Sequence, residues 1–190
     1  MAIEDRIKWN SKFSLGGLKP GVPEPFLVEH HAVFEDGLAL DLACGDGRNG
    51  LFLAQQGYQV TGVDISDVAL QRFAEFASKM NLNVHLMAVD LEEGLHPEAL
   101  PCFDNLLICC YKPVPSLWSH LIERLPAHGR VMVATFNLKQ SLKKGFPAKF
   151  CLSEKEYYQL HRDLEIEVYE TREDNDRFMD FYILKKTGKS

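Results

Sequence analysis

Two acidic residues lie near the ends of predicted strands, and a glycine turn follows the first of them. Asp41 belongs to the apolar segment 38–43, and the Gly-Asp-Gly turn at 45–47 comes directly after it. Asp64 closes a second apolar segment, 19 residues after the first glycine of the turn. Glycines let a backbone turn sharply and approach a ligand closely, and an acid at the end of the second strand is placed to hold ribose hydroxyls. The pattern predicts a nucleoside crevice.

The charge of this crevice indicates which nucleoside it would accept. The segment 45–50 matches the dinucleotide pattern Gly-x-Gly-x-x-Gly, which alone is a weak signal. Asp41 and Asp46 would repel a pyrophosphate and favour a ligand that carries positive charge. S-adenosylmethionine is such a ligand, because it has an ammonium group and a sulfonium and no phosphate. We expect Asp41 to accept charge-assisted hydrogen bonds from that ammonium.

A third acid follows the third predicted strand. Asp90 comes after the segment 84–89 and is placed to reach the exocyclic amine of adenine, with Ile65 and Leu91 on the two faces of the ring. Acids at the carboxyl ends of successive strands line one crevice, where open α/β sheets bind ligands. A helix N-cap or turn role remains the ordinary alternative for each acid taken singly.

The elements that must position these residues alternate along the chain as strand and helix. Strands are predicted over 38–43, 59–64, 84–89, 103–110 and 130–136. Helices are predicted over 3–13, 26–34, 48–56, 67–80 and 115–125. Beyond a basic loop at 139–149, a Ser-x-x-Glu capping box predicts a helix over 153–161, and strands over 164–171 and 178–185 form a hairpin. This order indicates an α/β fold whose parallel sheet has an antiparallel edge.

The segment 40–49, Leu-Asp-Leu-Ala-Cys-Gly-Asp-Gly-Arg-Asn, resembles the first motif of class I S-adenosylmethionine-dependent methyltransferases. The resemblance covers about residues 9–137. The Gly-Arg-Asn ending and the segment 9–13, Trp-Asn-Ser-Lys-Phe, are similar to the branch related to tellurite-resistance and thiopurine methyltransferases, in which the N-terminal segment helps to cover the cofactor. The resemblance implies a Rossmann-like, doubly wound seven-stranded sheet of order 3-2-1-4-5-7-6, with strand seven antiparallel.

The charge argument and the resemblance together predict the residues that bind S-adenosylmethionine. They are Trp9, Phe13, Asp41, Ala43, Gly45, Gly47, Arg48, Asp64, Ile65, Ser66, Asp90, Leu91, Glu92 and Cys109. Arg48 lies in the first turn of its helix, a poor place for a cation. We expect it to pair with Asp46 or to meet the methionine carboxylate, and a solvated arginine is the alternative.

The acceptor pocket is expected between the ends of strands four and five and the N-terminal segment. Its candidate residues are Cys110, Tyr111, Phe136 and Asn137, and the catalytic residue is unknown. Consecutive strand residues point to opposite faces, so Cys109 and Cys110 cannot face one ligand unless the strand has ended. The segment 108–113 lacks the Asn/Asp-Pro-Pro-Tyr/Phe signature of enzymes that methylate base or glutamine amino groups, which argues against DNA adenine methylation.

Length and composition restrict the class of protein. With 190 residues the chain is expected to form one domain. Within it we distinguish an N-terminal cover (1–35), a cofactor-binding core (36–137) and a C-terminal helix with a β-hairpin (138–190). The net charge of −6 without a basic stripe weighs against a nucleic-acid partner. The five cysteines lack a Cys-x-x-Cys pair, and the seven histidines lack metal spacing, so no metal site and a cytoplasmic location are expected.

The sequence therefore favours methyl transfer from S-adenosylmethionine to a small-molecule acceptor, a thiol or a metalloid oxyanion. The apolar runs are too short to cross a bilayer, so no membrane partner is expected. Three alternatives remain: an RNA or protein methyltransferase with a partner subunit, a nicotinamide-dependent oxidoreductase, and a non-catalytic protein that binds S-adenosylmethionine. The sequence leaves the oligomeric state undetermined.

Overall fold

Seven strands form one sheet in the computed structural model, which describes residues 2–91, 100–174 and 176–188. They are β1 (Leu38–Leu42), β2 (Gln59–Asp64), β3 (Val84–Ala88), β4 (Asn105–Cys109), β5 (Arg130–Phe136), β6 (Leu164–Asp174) and β7 (Arg177–Lys186). Their order across the sheet is β3-β2-β1-β4-β5-β7-β6, and β7 runs antiparallel to both β5 and β6. The predicted Rossmann-like topology is confirmed.

Helices cover both faces of the sheet. They are α1 (Ala2–Ser14), α2 (Pro25–His30), α3 (Arg48–Gln55), α4 (Asp67–Lys79), α5 (Pro115–Arg124) and α6 (Leu138–Lys144). Proline occupies the first turn of α2 and α5, where its missing N–H removes no intrahelical bond. None of the described helices has the length and apolarity that a bilayer crossing requires.

The central strands are buried on both faces, as expected for parallel strands between helix layers. All five residues of β4 are buried. Leu107 packs into one apolar core, which includes Phe73, whereas Leu106 packs into a second core on the opposite face, which includes Trp118. Burying one such leucine side chain stabilises the fold by about 1.5–3 kcal/mol. These two cores fix the ends of β1 and β4.

The carboxyl ends of β1 and β4 lie side by side at the point where the strand order reverses direction. β1 pairs with β2 on one side and with β4 on the other. Such a switch point is the usual ligand crevice of an open α/β sheet. Just beyond the two strands, Ala43 and Cys110 have φ angles of 56° and 55°. Left-handed backbone is costly for residues other than glycine and is often found at functional sites.

The C-terminal third differs from the sequence prediction. The predicted loop at 139–149 is wrong in its first half, because Asn137 caps the start of α6 and Gly145, with φ 68°, ends it. The predicted helix over 153–161 is also wrong. Lys155 has φ 54°, so only a 3-10 helix, Glu156–Gln159, forms. The predicted helix over 26–34 is shorter, since α2 gives way to a 3-10 helix at His31–Val33.

Candidate functional site

The glycine turn after β1 is shaped by the protein's own aromatic rings. Gly45 and Gly47 have φ angles of +56° and +85°. A Cβ atom at Gly45 would lie 2.8 Å from the ring of Phe13, and one at Gly47 would lie 2.2 Å from the ring of Phe73. Both the backbone angles and these close approaches therefore require glycine.

Two N–H groups of this turn, those of Gly45 and Gly47, are already used within the protein. Gly45 N–H donates to Asp64 Oδ2 at 2.8 Å, and Gly47 N–H donates to the carbonyl of Cys44 at 3.1 Å. A turn that cradles phosphate presents such donors to the ligand. Their internal use argues against a pyrophosphate at this position and thus against the nicotinamide alternative.

Asp41 is a buried carboxylate with an unpaired oxygen. Its exposed fraction is 1%, and its Oδ2 has no hydrogen-bond partner among the described residues. Burial raises the pKa of Asp41 from 3.8 to about 7, against the opposing effects of the Gly50 N–H and of Arg48. A buried polar atom without a partner is unfavourable, so this oxygen is complementary to a ligand cation.

Asp64 holds the end of β2 against the glycine turn. Its Oδ2 accepts from Gly45, and its Oδ1 accepts from the N–H of Ser66 at 2.9 Å. Burial raises the pKa of Asp64, and these backbone donors lower it. A carboxylate has about four acceptor positions, so Asp64 retains capacity for ribose hydroxyls.

Ser66, a predicted cofactor contact, caps α4. Its Oγ accepts from Ala69 N–H at 3.1 Å and donates to Asn10 Oδ1 at 2.7 Å. Asn10 thereby ties α1 to the start of α4. The hydroxyl of Ser66 is occupied by these structural contacts.

The predicted adenine contacts lie at the ends of β2 and β3. The N–H of Val89 donates to the carbonyl of Asp64 at 2.9 Å and holds the two strand ends together, with Asp90 next in the chain. Ile65 is half-buried, whereas Leu91, with 7% of its surface exposed, packs into the core beneath. Glu92 lies outside the described residues.

The expected pairing of Arg48 with Asp46 is wrong. Asp46 pairs instead with Arg72 at 3.2 Å, and Arg72 also donates to the carbonyl of Gly17 at 2.6 Å. Arg48 turns toward Glu24, at 3.4 Å. Asp46 is thus neutralised by its partner, and the negative charge that favours a cation rests on Asp41 and Asp64.

Arg48 connects Glu24 with two thiols at the end of β4. Its Nη2 donates to Cys109 Sγ at 3.3 Å and to Cys110 Sγ at 3.9 Å. Glu24 has 2% of its side chain exposed and also accepts from Arg177 at 3.1 Å. Two arginines therefore share one buried carboxylate beside the thiols.

Of the two predicted cover residues, Phe13 lies against the turn. Phe13 contacts Gly45, and its ring centroid is 6.2 Å from that of Trp9. Lys12 Nζ lies 4.4 Å from the centroid of the Trp9 ring, so this face already attracts a cation. The structure places Trp9 and Phe13 on one face of α1, as their spacing predicts.

The predicted acceptor residues take different roles. Tyr111 is half-buried against the second core, and Phe136 packs on Phe146 at 4.8 Å between ring centroids. Asn137 accepts from the N–H of Lys139 and donates to Asp180 at 2.7 Å, so it is held in a buried polar contact. Of the acceptor candidates, only Cys110 is exposed.

Three contributors to the site were missed from the sequence. They are Glu24, Arg72 and Arg177, which act through partners 24 to 153 residues distant. The proline-rich segment around Glu24 and the helical position of Arg72 gave no signal of these contacts. Across the described ranges, no group of three or more His, Cys, Asp or Glu side chains forms a metal site.

The residues present fit S-adenosylmethionine. The unpaired oxygen of Asp41 matches its ammonium, and the remaining acceptor capacity of Asp64 matches its ribose hydroxyls. The glycine turn offers no free N–H of Gly45 or Gly47 to a phosphate, a group that this cofactor lacks.

Comparisons with known proteins agree with this chemistry. Residues 39–127 match the profile of a family described as methyltransferase domain. The probable S-adenosyl-L-methionine-dependent methyltransferase TehB of Haemophilus influenzae is 26% identical over 133 residues, which are 68% of this chain and 46% of that protein. This chain therefore spans less than half the length of that relative.

Solved structures show the same fold. The crystal structure of TehB from Haemophilus influenzae superimposes with a TM-score of 0.69 at 20% identity and covers 86% of this chain and 62% of that one. Magnesium protoporphyrin IX methyltransferase from Synechocystis, solved with bound S-adenosylmethionine, gives a TM-score of 0.65 at 16% identity, over 97% of this chain and 81% of that one.

Proposed function

We propose that this chain is a class I S-adenosylmethionine-dependent methyltransferase that methylates a small-molecule acceptor, either a thiol or a metalloid oxyanion. The observation that carries the proposal is the buried, unpaired oxygen of Asp41 beside a turn in which the N–H groups of Gly45 and Gly47 are already bonded. A buried carboxylate oxygen of this kind favours a cation, and neither glycine N–H is available to a phosphate.

Each acid at the strand ends has a separate task in holding the cofactor. We assign the ammonium to Asp41, the ribose hydroxyls to Asp64 and the adenine amine to Asp90. When bound, S-adenosylmethionine supplies a methyl group already activated by its sulfonium for in-line displacement. The protein then has to position the acceptor and exclude water. Phe13 and Trp9 cover the turn and contribute to this exclusion.

The acceptor side supports a soft nucleophile. The exposed thiol of Cys110 and the neighbouring Cys109 lie at the end of β4, beside Arg48. A thiolate or a metalloid anion already carries the electron pair that attacks the methyl group, so no dedicated general base is needed. The positive charge of Arg48 favours an anionic acceptor approaching this edge. All five cysteines are free, which supports a reducing compartment such as the cytoplasm.

An acceptor screen tests this proposal. The purified chain is incubated with S-adenosylmethionine and either small thiols, selenite, tellurite, RNA or protein, and S-adenosylhomocysteine is quantified by mass spectrometry. We expect turnover with at least one small thiol or metalloid and none with RNA or protein. Turnover with RNA or protein alone would contradict the small-molecule assignment. Binding of S-adenosylhomocysteine without turnover in any mixture would instead indicate a non-catalytic protein.

A further inference from the structure

The two thiols at the end of β4 face one another because the strand stops between them. Cys109 is the last residue of β4, and Cys110, with φ 55°, has left-handed backbone. Their sulfur atoms are 3.8 Å apart. Side chains of consecutive residues in a continuing strand would point to opposite faces. The costly backbone angle at Cys110 therefore brings two soft ligands together.

The surroundings of the pair favour the thiolate form. The hydrogen bond from Cys109 and the charge of Arg48 lower the pKa of Cys110 to about 7, although burial opposes them. The same contact and burial raise the pKa of Cys109. Cys110 is exposed, whereas Cys109 has 8% of its surface exposed. A reagent can therefore meet an ionised Cys110 first and then the neighbouring thiol.

Two sulfur ligands are enough for some thiol-binding elements and too few for others. A structural zinc ion needs four ligands, and the described residues bring no third metal-binding side chain to these thiols. A trivalent arsenical with one organic group needs only two sulfur ligands, because carbon supplies its third bond. The sulfur separation of 3.8 Å exceeds the roughly 2 Å of a disulfide. It leaves room for one bridging atom after a small movement.

We propose that Cys109 and Cys110 form a dithiol site for a trivalent metalloid, of which a mono-organic arsenic oxide is the simplest probe. Two sulfur–arsenic bonds form and the arsenic–oxygen bonds break. The two thiol protons leave with the oxide oxygen as one water molecule, and no atom changes oxidation state. Arg48 offsets the negative charge of the reacting thiolate. The binding site for the arsenical does not depend on the proposed function. Only a further role of the pair, presenting the bound arsenic as a methyl acceptor, rests on it.

Intact mass spectrometry of the full chain with phenylarsine oxide tests the site. We expect one adduct, whose mass gain is that of the reagent less one water, with the loss of two titratable thiols. It should persist in excess glutathione and be released by a dithiol. Cys110→Ser should weaken retention at least about 100-fold, because the second bond no longer benefits from a high effective concentration. Cys102→Ser, which removes an exposed thiol elsewhere, should behave as the wild type.

The site is refuted if the Cys110→Ser adduct resists glutathione, if Cys102→Ser loses it, or if the adduct consumes one thiol. The site is also refuted if Cys109 and Cys110 remain a disulfide in the presence of reductant and therefore bind no arsenical. Cys109→Ser provides a second test, in which thermal unfolding and S-adenosylhomocysteine titration report whether the variant is folded. A folded Cys109→Ser protein that binds the arsenical as the wild type does would overturn the proposal.

Methyl transfer is measured separately. The arsenical adduct is incubated with methyl-labelled S-adenosylmethionine. In the transfer the arsenic lone pair forms the carbon–arsenic bond, the bond from the methyl carbon to the sulfonium breaks, and S-adenosylhomocysteine leaves. The added dithiol then reduces the arsenic(V) centre, being itself oxidised to a disulfide, and releases the arsenic so that its label can be determined. Labelled arsenic supports presentation of the acceptor by the pair. A stable two-thiol adduct without label in a protein that methylates other small molecules removes this acceptor role. It leaves both the binding site and the proposed function in place.

Discussion

Replacing Asp41 by asparagine separates the electrostatic role of this residue from its structural role. In the folded protein burial raises the pKa of Asp41 from 3.8 to about 7. The folded state therefore binds this proton more tightly than the unfolded state, and the contribution of Asp41 to stability falls as the pH rises from about 4 to 7. Asparagine does not titrate, so the stability of the variant should not fall from this cause as the pH rises.

The size of the effect follows from the two pKa values. Between pH 5 and pH 8, ionisation of a buried group with these values lowers the free energy of unfolding by about 2.5 kcal/mol. We expect Asp41→Asn to gain about this much stability relative to the wild type over that interval. Urea unfolding of both proteins at the two pH values measures the difference, in which the titration of all other groups cancels. Asp36→Asn, at an exposed position, is the matched control.

Cofactor binding should change in the opposite direction. Asparagine lacks the charge that the ammonium would meet, and a hydrogen bond to a charged group contributes about 1.5–3 kcal/mol. We therefore expect S-adenosylhomocysteine to bind Asp41→Asn about 10- to 100-fold more weakly at pH 8 by calorimetric titration. Unchanged affinity, or unfolding curves of variant and wild type that shift in parallel with pH, would refute the assignment. A pH-independent loss of stability would instead identify Asp41 as an anchor for the Gly50 N–H alone.

Two further substitutions test how the turn and its cover are built. Gly47→Ala should lower the free energy of unfolding by at least about 2 kcal/mol, because its Cβ overlaps the Phe73 ring and the backbone is also strained. Urea unfolding measures this loss. The control is Gly57→Ala, with φ +97° and open space around it, which should lose only the part that comes from backbone strain. An equal loss in both variants would contradict the role of the Phe73 ring. Asn10→Ala should lower the free energy of unfolding by about 1 kcal/mol and raise the rate of hydrogen exchange in α1, since the contact with Ser66 is lost. Ser11→Ala, on the exposed side of α1, is the control. Unaltered exchange in Asn10→Ala would show that other contacts hold α1.

The strand–helix alternation from 38 to 136 could be predicted because local pattern and tertiary context agree there. Apolar runs gave β2 and β5 their observed bounds. The absence of an α-helix over 153–161 could not be predicted, because the capping-box contact of Ser153 with Glu156 forms although Lys155 leaves the helical backbone region.

The charges of the site were harder to predict than its backbone. The acids follow from strand periodicity, so Asp41 lies within β1 and Asp64 ends β2 as predicted, whereas their contacts with the cofactor stay a prediction. The partner of an arginine depends on which helix lies opposite, and the sequence gives no such information. Arg48 therefore pairs with Glu24, and Arg72 rather than Arg48 neutralises Asp46. The Arg72–Asp46 pair depends on the packing of α4 against the turn, and the Arg48–Glu24 pair depends on the packing of the segment before α2 against α3.

One residue with left-handed backbone follows β1 and another follows β4, and these two residues shape the glycine turn and the thiol pair. At Ala43 the backbone leaves the sheet and leads into the glycine turn, which lies against Asp64. At Cys110 the same conformation turns a second sulfur toward Cys109, while the Cys110 N–H still donates to Ala134 in β5 at 2.8 Å. Adjacent strands that continued regularly would present one side chain each to the crevice. Because both strands end in this way at the switch point, the fold places the buried carboxylate of Asp41 and the paired thiols on neighbouring strands.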